Sequence, residues 1–210
     1  FVKEVTPEGK VVWEWHAHED LDIEDFPLHI MSTRKEFLHC NACTELPNGD
    51  IMLSFRKNSM IIVIDKKTKK VVKRWQDNEW GQQHDCELLE NGNVLFFANG
   101  IQVPRGIYHS RVIEFDWESG DEMWSYTGSP PWTFFSPNIS GAQRQPNGNT
   151  LICEGLNGRV FEVTSEGEIV WEFVSPWFAE TQRGPNNSVF RAYRYDVESP
   201  ELAGRVKLIS

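Results

Sequence analysis

An Asn-Gly pair recurs three times in this chain, each time between apolar runs: ELPNGDIMLSF (45–55), LLENGNVLFFA (88–98) and RQPNGNTLICE (144–154). Such a pair is a strong hairpin signal, because both residues tolerate the positive φ that a type I′ turn requires. Each block therefore supplies two antiparallel strands. A second unit follows each hairpin: MIIVIDKKTKKVVKRW (60–75), RVIEFDWESGDEMWSY (111–126) and RVFEVTSEGEIVWEF (159–173). Each reads as an alternating strand, a polar turn and a further strand ending near Trp. The opening FVKEVTPEGKVVWEW (1–15) is the same unit, since Thr6, Glu8, Gly9, Val12 and Trp13 recur at a constant offset as Thr164, Glu166, Gly167, Val170 and Trp171.

Four strands per unit, with the Asn-Gly pairs 43 and 56 residues apart, predict an all-β fold of β-propeller blades. The longer interval reflects an insertion near NGIQVPRGIYHS (99–110). The expected order within one propeller domain is the end of a blade at 1–15, whole blades at 39–76, 82–127 and 138–174, and the start of another at 187–210, about four blades in all. Both ends break in mid-blade, which favours a larger ring of six over closure at four. The first residue is Phe rather than Met, which suggests a processed or partial chain. Strands missing from the ring would come from further sequence or from a second copy in a homo-oligomer. Residues 16–37, 127–137 and 174–187 are connectors rich in Pro, Trp and acidic residues, long enough to serve as lids or as irregular surface packing.

Charge narrows the partners. Acidic residues outnumber basic ones by 31 to 21, so the electrostatic footprint of a nucleic-acid or anionic-membrane protein is missing, and an anionic ligand needs a local cluster of donors. No apolar run is long enough for a membrane span, and no signal peptide is visible.

Aligning the repeats on Asn-Gly gives that cluster. Cys43, Cys86 and Ala142 stand five residues before each Asn; two residues earlier come Asn41, His84 and Ser140, and two earlier again His39, Gln82 and Asn138. Strand residues two apart share a face. Core strands carry Val or Ile at such positions, so polar residues at the start of each innermost strand point to the mouth of a central channel. The matching place after the second strand holds Arg56, Asn99 and Gly155. Imidazoles, a guanidinium and amides together suit an oxyanion such as sulfate or phosphate.

The segments LHCNACTELPNGDIMLSFR, QHDCELLENGNVLFFANG, SRVIEFD, SGAQRQPNGNTLICEG and NSVFRAYRY, taken in order, resemble the bacterial aryl sulfotransferase family from about residue 38 onward. The resemblance implies a six-bladed, usually periplasmic (or extracellular) propeller that needs no cofactor and moves a sulfuryl group from an aryl sulfate to a phenol through a sulfohistidine. It maps the nucleophile onto His84 and the residues that hold the sulfuryl oxygens onto His39, Asn41 and Arg56. Asn99, Arg144, Gln82 and Ser140 are the expected substrate contacts. A further family histidine from a preceding blade has three candidates here, His16, His18 and His29. The chemistry agrees: neutral imidazole is a competent nucleophile at physiological pH, and positioned cations stabilise charge on peripheral oxygens.

Blander readings stand beside these. His84 and His39 could be structural, and Arg56 could pair with surplus carboxylates. His109 reads as a surface residue, and Trp13, Trp75, Trp124 and Trp171 as blade packing. Asp85, adjacent to His84 on a strand, would point the other way and so not orient the imidazole. Cys40-x-x-Cys43 has no second ligand pair at zinc spacing, so no metal is expected. A Cys43–Cys86 bridge between blades would fit an oxidising compartment. A binding propeller without turnover is the rival function; a quinone-cofactor propeller has no motif to support it.

Overall fold

The computed structural model describes the chain except residues 23, 26–32, 34, 37, 183, 198, 200, 201 and 203–210. A two-stranded sheet of β1 (Val2–Val5) and β2 (Val11–Trp15) opens the fold, followed by one helical turn, α1 (Ala17–Asp20). Three four-stranded antiparallel meanders come next. They are β3 (Cys40–Glu45) to β6 (Val71–Gln76) through β4 (Ile51–Phe55) and β5 (Met60–Ile64); β7 (His84–Leu88) to β10 (Glu122–Tyr126) through β8 (Val94–Ala98) and β9 (Arg111–Phe115); and β11 (Gly141–Arg144) to β14 (Ile169–Val174) through β12 (Thr150–Glu154) and β13 (Arg159–Val163). A small hairpin, β15 (Ala179–Thr181) and β16 (Gly184–Asn186), lies in the last connector. No helix among the described residues is long and apolar enough to cross a membrane.

The hairpins form at the three Asn-Gly pairs, but with a different turn from the expected type I′. Only the glycines are left-handed (Gly49 φ 88°, Gly92 φ 88°, Gly148 φ 89°). Gly49 N–H donates to the Leu46 carbonyl and Leu46 N–H to the Asp50 carbonyl, and the same pair of bonds closes Leu89–Asn93 and Gln145–Asn149. This is a type I turn followed by a bulged glycine. In the first and third hairpins Pro47 and Pro146 stand at the first central position of this type I turn, which suits their fixed negative φ, and Glu90 holds the same place in the second.

The middle strands are apolar on both sides because each sheet is covered on both faces. Along β4, Ile51, Leu53 and Phe55 pack with Trp15, Leu21 and Leu38 from the opening segment, whereas Met52 packs with Cys86, Phe96 and Ile113 of the second sheet. Leu95, Phe97 and Val112 in turn meet Ala142, Ile152 and Phe161 of the third. Truncating a fully buried ring such as Phe96 to Ala would cost about 3–5 kcal/mol.

Trp residues clamp successive blades. The indole Nε1–H of Trp13 donates to the Lys66 carbonyl (2.8 Å), that of Trp75 to Trp117 (3.2 Å) and that of Trp124 to Ser165 (2.7 Å), each in the outer turn of the next sheet. They are packing residues, as their repeated position implies. The segment from 187, expected to open another blade, forms no strand among its described residues. It is nevertheless tied to the third blade's inner edge, with Ser140 N–H donating to the Phe190 carbonyl and Val189 N–H to that of Gly155. A strand needs a backbone ladder on at least one side, and among the described residues the rest of the segment is held through side chains instead, such as Gln143, which bonds both the N–H and the carbonyl of Arg194.

Candidate active site

The pairing register is broken at the start of the first two inner strands and unbroken in the third. Pairing register shifts between Cys40 and Ala42 on β3 and between His84 and Glu87 on β7, whereas β11 runs from Gly141↔Cys153 to Arg144↔Thr150 without interruption. A bulge re-aims side chains, so simple alternation fails where it matters for the site. Five non-glycine residues at these strand starts have left-handed backbone: His39 (φ 57°), Gln82 (69°), Asp85 (57°), Ile139 (50°) and Ser140 (83°). Each costs of order 1–3 kcal/mol, strain that persists only where surrounding contacts enforce it and that concentrates at functional sites.

One open cleft of ≈ 540 Å³ lies at these strand starts, lined by His39, Asn41, Arg56 and His84 together with Cys40, Ala42, Cys43, Asn138, Ile139 and Phe190. The four residues expected to do the chemistry therefore share one space. His84 is 4% exposed, and its Nδ1 lies 2.7 Å from Asn99 Oδ1. The Asn99 amide nitrogen donates to the carbonyls of Ser136 (2.8 Å) and Ile139 (3.0 Å). Those two bonds fix which end of the amide is oxygen, so Oδ1 must accept from a protonated Nδ1. Nε2 is then the imidazole nitrogen with the free lone pair. Burial pushes the His84 pKa down to about 4; the Asn99 bond opposes this, and the charges of Arg56 and His39 add to it. The ring is neutral at pH 7.

Arg56 sits just after β4, its backbone N–H bonded to the His39 carbonyl. Burial lowers its guanidinium from the ordinary range, with Glu36 opposing, and it remains a cation. It makes no ion pair among the described residues, and its Nε is buried without a hydrogen-bond partner. His39 Nδ1 lies 2.9 Å from Glu36 Oε1, and Lys57 Nζ lies 3.2 Å from the other oxygen of that carboxylate. Asn41 donates from Nδ2 to the Gln83 carbonyl (2.7 Å), tying the first blade to the second, while its buried Oδ1 has no partner among the described residues. Glu36 is thus the carboxylate that reaches this cleft, beside His39, and it forms no ion pair with Arg56.

The remaining expected contacts go elsewhere. Asn99 is fully buried behind His84 and orients it, so it is a positioning residue rather than a substrate contact. Gln82 donates to Gln102 Oε1 (2.6 Å), and the Ser140 hydroxyl accepts from Gly155 N–H (3.0 Å); both are buried in the scaffold outside the cleft lining. Arg144, at the far end of β11, pairs with Glu114 Oε2 (2.6 Å) and stacks on Trp124 (4.7 Å). At the opposite end of its strand from Gly141, it is not among the residues that line the cleft. His16 pairs with Glu14, and His18 lines a neighbouring groove with His39; His29 is outside the described residues. His109 bonds the Ile107 carbonyl within its own loop.

Asp85 turns from His84, as expected, and accepts from the Tyr193 hydroxyl (2.6 Å) with Arg191 Nη1 at 3.1 Å. All four cysteines are free thiols, so no Cys43–Cys86 bridge forms. Cys40 and Cys43 belong to no three-member cluster of metal-ligating side chains among the described residues. The sequence reading missed Phe190 and Ile139 as cleft residues, and Asn138 was visible only as the repeat partner of His39 and Gln82.

Sheets of four antiparallel strands, clamped side to side around polar inner edges, define a propeller-type β protein. The chain belongs to the arylsulfotransferase (ASST) family, whose model matches residues 1–176. No protein of curated function matches it in sequence. Among solved structures it is similar to a Bacteroides caccae protein of unknown function (14% identity, TM-score 0.53, covering 84% of this chain and 56% of that one) and to virginiamycin B lyase from Staphylococcus aureus (17%, 0.50, 82% and 48%). It is also similar to the WD40 β-propeller domain of Doa1 (14%, 0.49, 75% and 50%). At such identities the likeness is one of fold. The chain spans about half the length of these structures.

Proposed function

We propose that the cleft transfers a sulfuryl group from an aryl sulfate to a phenolic acceptor, with His84 as the nucleophile. Family membership supports sulfotransferase chemistry, and the single observation that carries the assignment to His84 is its bond to Asn99. That bond favours the proton on Nδ1 and so gives Nε2 the lone pair a nucleophile needs, in a cleft shared with a guanidinium that has no ion pair among the described residues.

In the first half-reaction Nε2 attacks sulfur, an N–S bond forms, the S–O bond to the donor breaks, and a phenolate leaves. Asn99 Oδ1, accepting from Nδ1–H, stabilises the positive charge that develops on the ring. Arg56 faces the sulfuryl oxygens, whose charge grows in the transition state. In the second half-reaction the acceptor oxygen attacks the same sulfur, the N–S bond breaks, and the acceptor's phenolic proton balances the one taken up by the departed phenolate. His84 returns to its neutral form. A periplasmic or extracellular setting is part of the proposal and rests on the family alone.

The test is incubation with 4-nitrophenyl sulfate, with and without a phenol. We expect nitrophenolate release, a protein adduct heavier by one SO3 group when no acceptor is present, and loss of both in His84→Ala. Binding of the aryl sulfate with neither release nor adduct would instead make the cleft a binding site without turnover.

A further inference from the structure

Away from the cleft, in the segment that leaves β2, His16, His18 and Glu19 bring one ligand atom each within 4.8 Å of one another. We propose that these three side chains form a surface site for a divalent transition metal of the zinc class. Two imidazoles and a carboxylate are the donor set that zinc, cobalt(II), nickel and copper(II) favour over the hard cations, which prefer all-oxygen ligation.

The geometry is close to what such an ion needs. Ligand bonds of about 2.0–2.2 Å require donor atoms to approach within roughly 4 Å of each other. The present spacing must therefore close by about an ångström at its widest, within the reach of side-chain rotation. Two of the three groups are free to do this: the side chains of His18 and Glu19 are 76% and 63% exposed, and only a 3.6 Å contact joins them. His16, 25% exposed, is the fixed member. Its ring packs against Phe1 (5.9 Å) and meets His18 edge-on (5.6 Å), and its Nε2 lies 3.5 Å from Glu14 Oε2. A carboxylate against an imidazole is the contact that commonly braces a metal-bound histidine. Entry is open, because His18 also lines a groove of ≈ 290 Å³.

Such an ion would order the turn after β2, between Trp15 and Leu21, which pack against the first blade. The role is structural, and it stands or falls independently of sulfuryl transfer.

Chelator-stripped protein titrated with ZnCl2 by calorimetry, and with CoCl2 by visible absorption, tests it. We expect one equivalent of either ion to bind, no saturable heat from MgCl2, a rise in melting temperature with ZnCl2, and d–d bands of nitrogen and oxygen ligation without thiolate charge transfer. His18→Ala should abolish saturable binding and the melting shift, and Glu14→Gln should weaken binding about ten- to a hundredfold. His18 is exposed, so the variant folds, and circular dichroism verifies this. Zinc binding undiminished in His18→Ala, cobalt–thiolate bands, or no saturable binding by the parent protein would each overturn the site.

Discussion

The second and third blades share a repeat, a turn and a core, yet their inner strands begin differently. On β7 a register shift follows His84, and the imidazole is aimed into the cleft with Asn99 behind it. On β11 the ladder is unbroken, and the equivalent Ser140 turns inward to cap Gly155 N–H. There is no room for a larger residue in that corner: a Cβ on Gly155 would meet the Val189 carbonyl at 2.5 Å, and one on Gly141 would meet Asp85 Oδ2 at 2.0 Å. The same scaffold position therefore faces the cleft in one blade and seals an interface in the next. The shift of register within β7, absent from β11, is the difference between them.

Arg56 gives the sharpest way to break this contrast. If the bulged mouths of the first two blades hold the transferring group, Arg56→Ala should lower kcat about a hundred- to a thousandfold, the usual cost of one transition-state donor. Ser140→Ala should leave kcat unchanged and lower only the melting temperature. Equal losses of rate in the two variants would erase the distinction.

Burial of His84 makes a further, thermodynamic prediction. Its folded pKa of about 4 lies below the ordinary 6.5. As pH falls between those values the unfolded chain takes up a proton that the folded chain refuses. The contribution to stability is thus fully present above pH 6.5 and is lost as pH falls toward 4. The loss is about 3 kcal/mol. Urea unfolding of the parent and of His84→Gln at pH 7 and pH 4.5 isolates it, because the carboxylates common to both cancel. A parent that loses no more stability than the variant would contradict a buried neutral imidazole.

Asn99 can be tested without removing it. Asn99→Asp replaces the accepting oxygen by a carboxylate, which favours the protonated ring. The acid limb of kcat/KM, expected near pH 4 in the parent, should move upward by about one unit or more. An unmoved limb with lowered kcat would mean that Asn99 only fills space.

Much of this fold is legible in the sequence because repetition multiplies weak signals. One Asn-Gly pair suggests a hairpin; three in matching contexts, with Trp at one recurring position, fix the blades and their order. His84, His39, Asn41 and Arg56 are legible for the same reason, since each stands at a polar position where a core strand would be apolar. What is hidden depends on single backbone choices. Strict alternation cannot register the bulges at Asn41 and Asp85 or the left-handed backbone of Gln82 and Ser140, so Asn99, Gln82 and Ser140 read as substrate contacts although they are buried supports. Arg144 misleads differently. Its guanidinium has a partner in the preceding blade, Glu114, which lies thirty residues earlier and is also held by Asn91 and Asn93.

That partnership sets the smallest expected effect. Arg144 and Glu114 are part-buried, with side chains 21% and 10% exposed, so the pair is worth more than a surface ion pair. Its loss is cushioned, because the two asparagine amides still donate to Glu114 Oε1 and the carboxylate is not left unsatisfied. Arg194, over Trp171 at 5.2 Å and paired with Glu162, repeats the arrangement one blade on and marks it as a clamp between blades. Arg144→Ala should therefore cost about 1–2 kcal/mol of stability, including the lost stacking on Trp124, with kcat and KM unchanged. A selective rise in KM for the aryl sulfate at unchanged stability would restore Arg144 to the substrate.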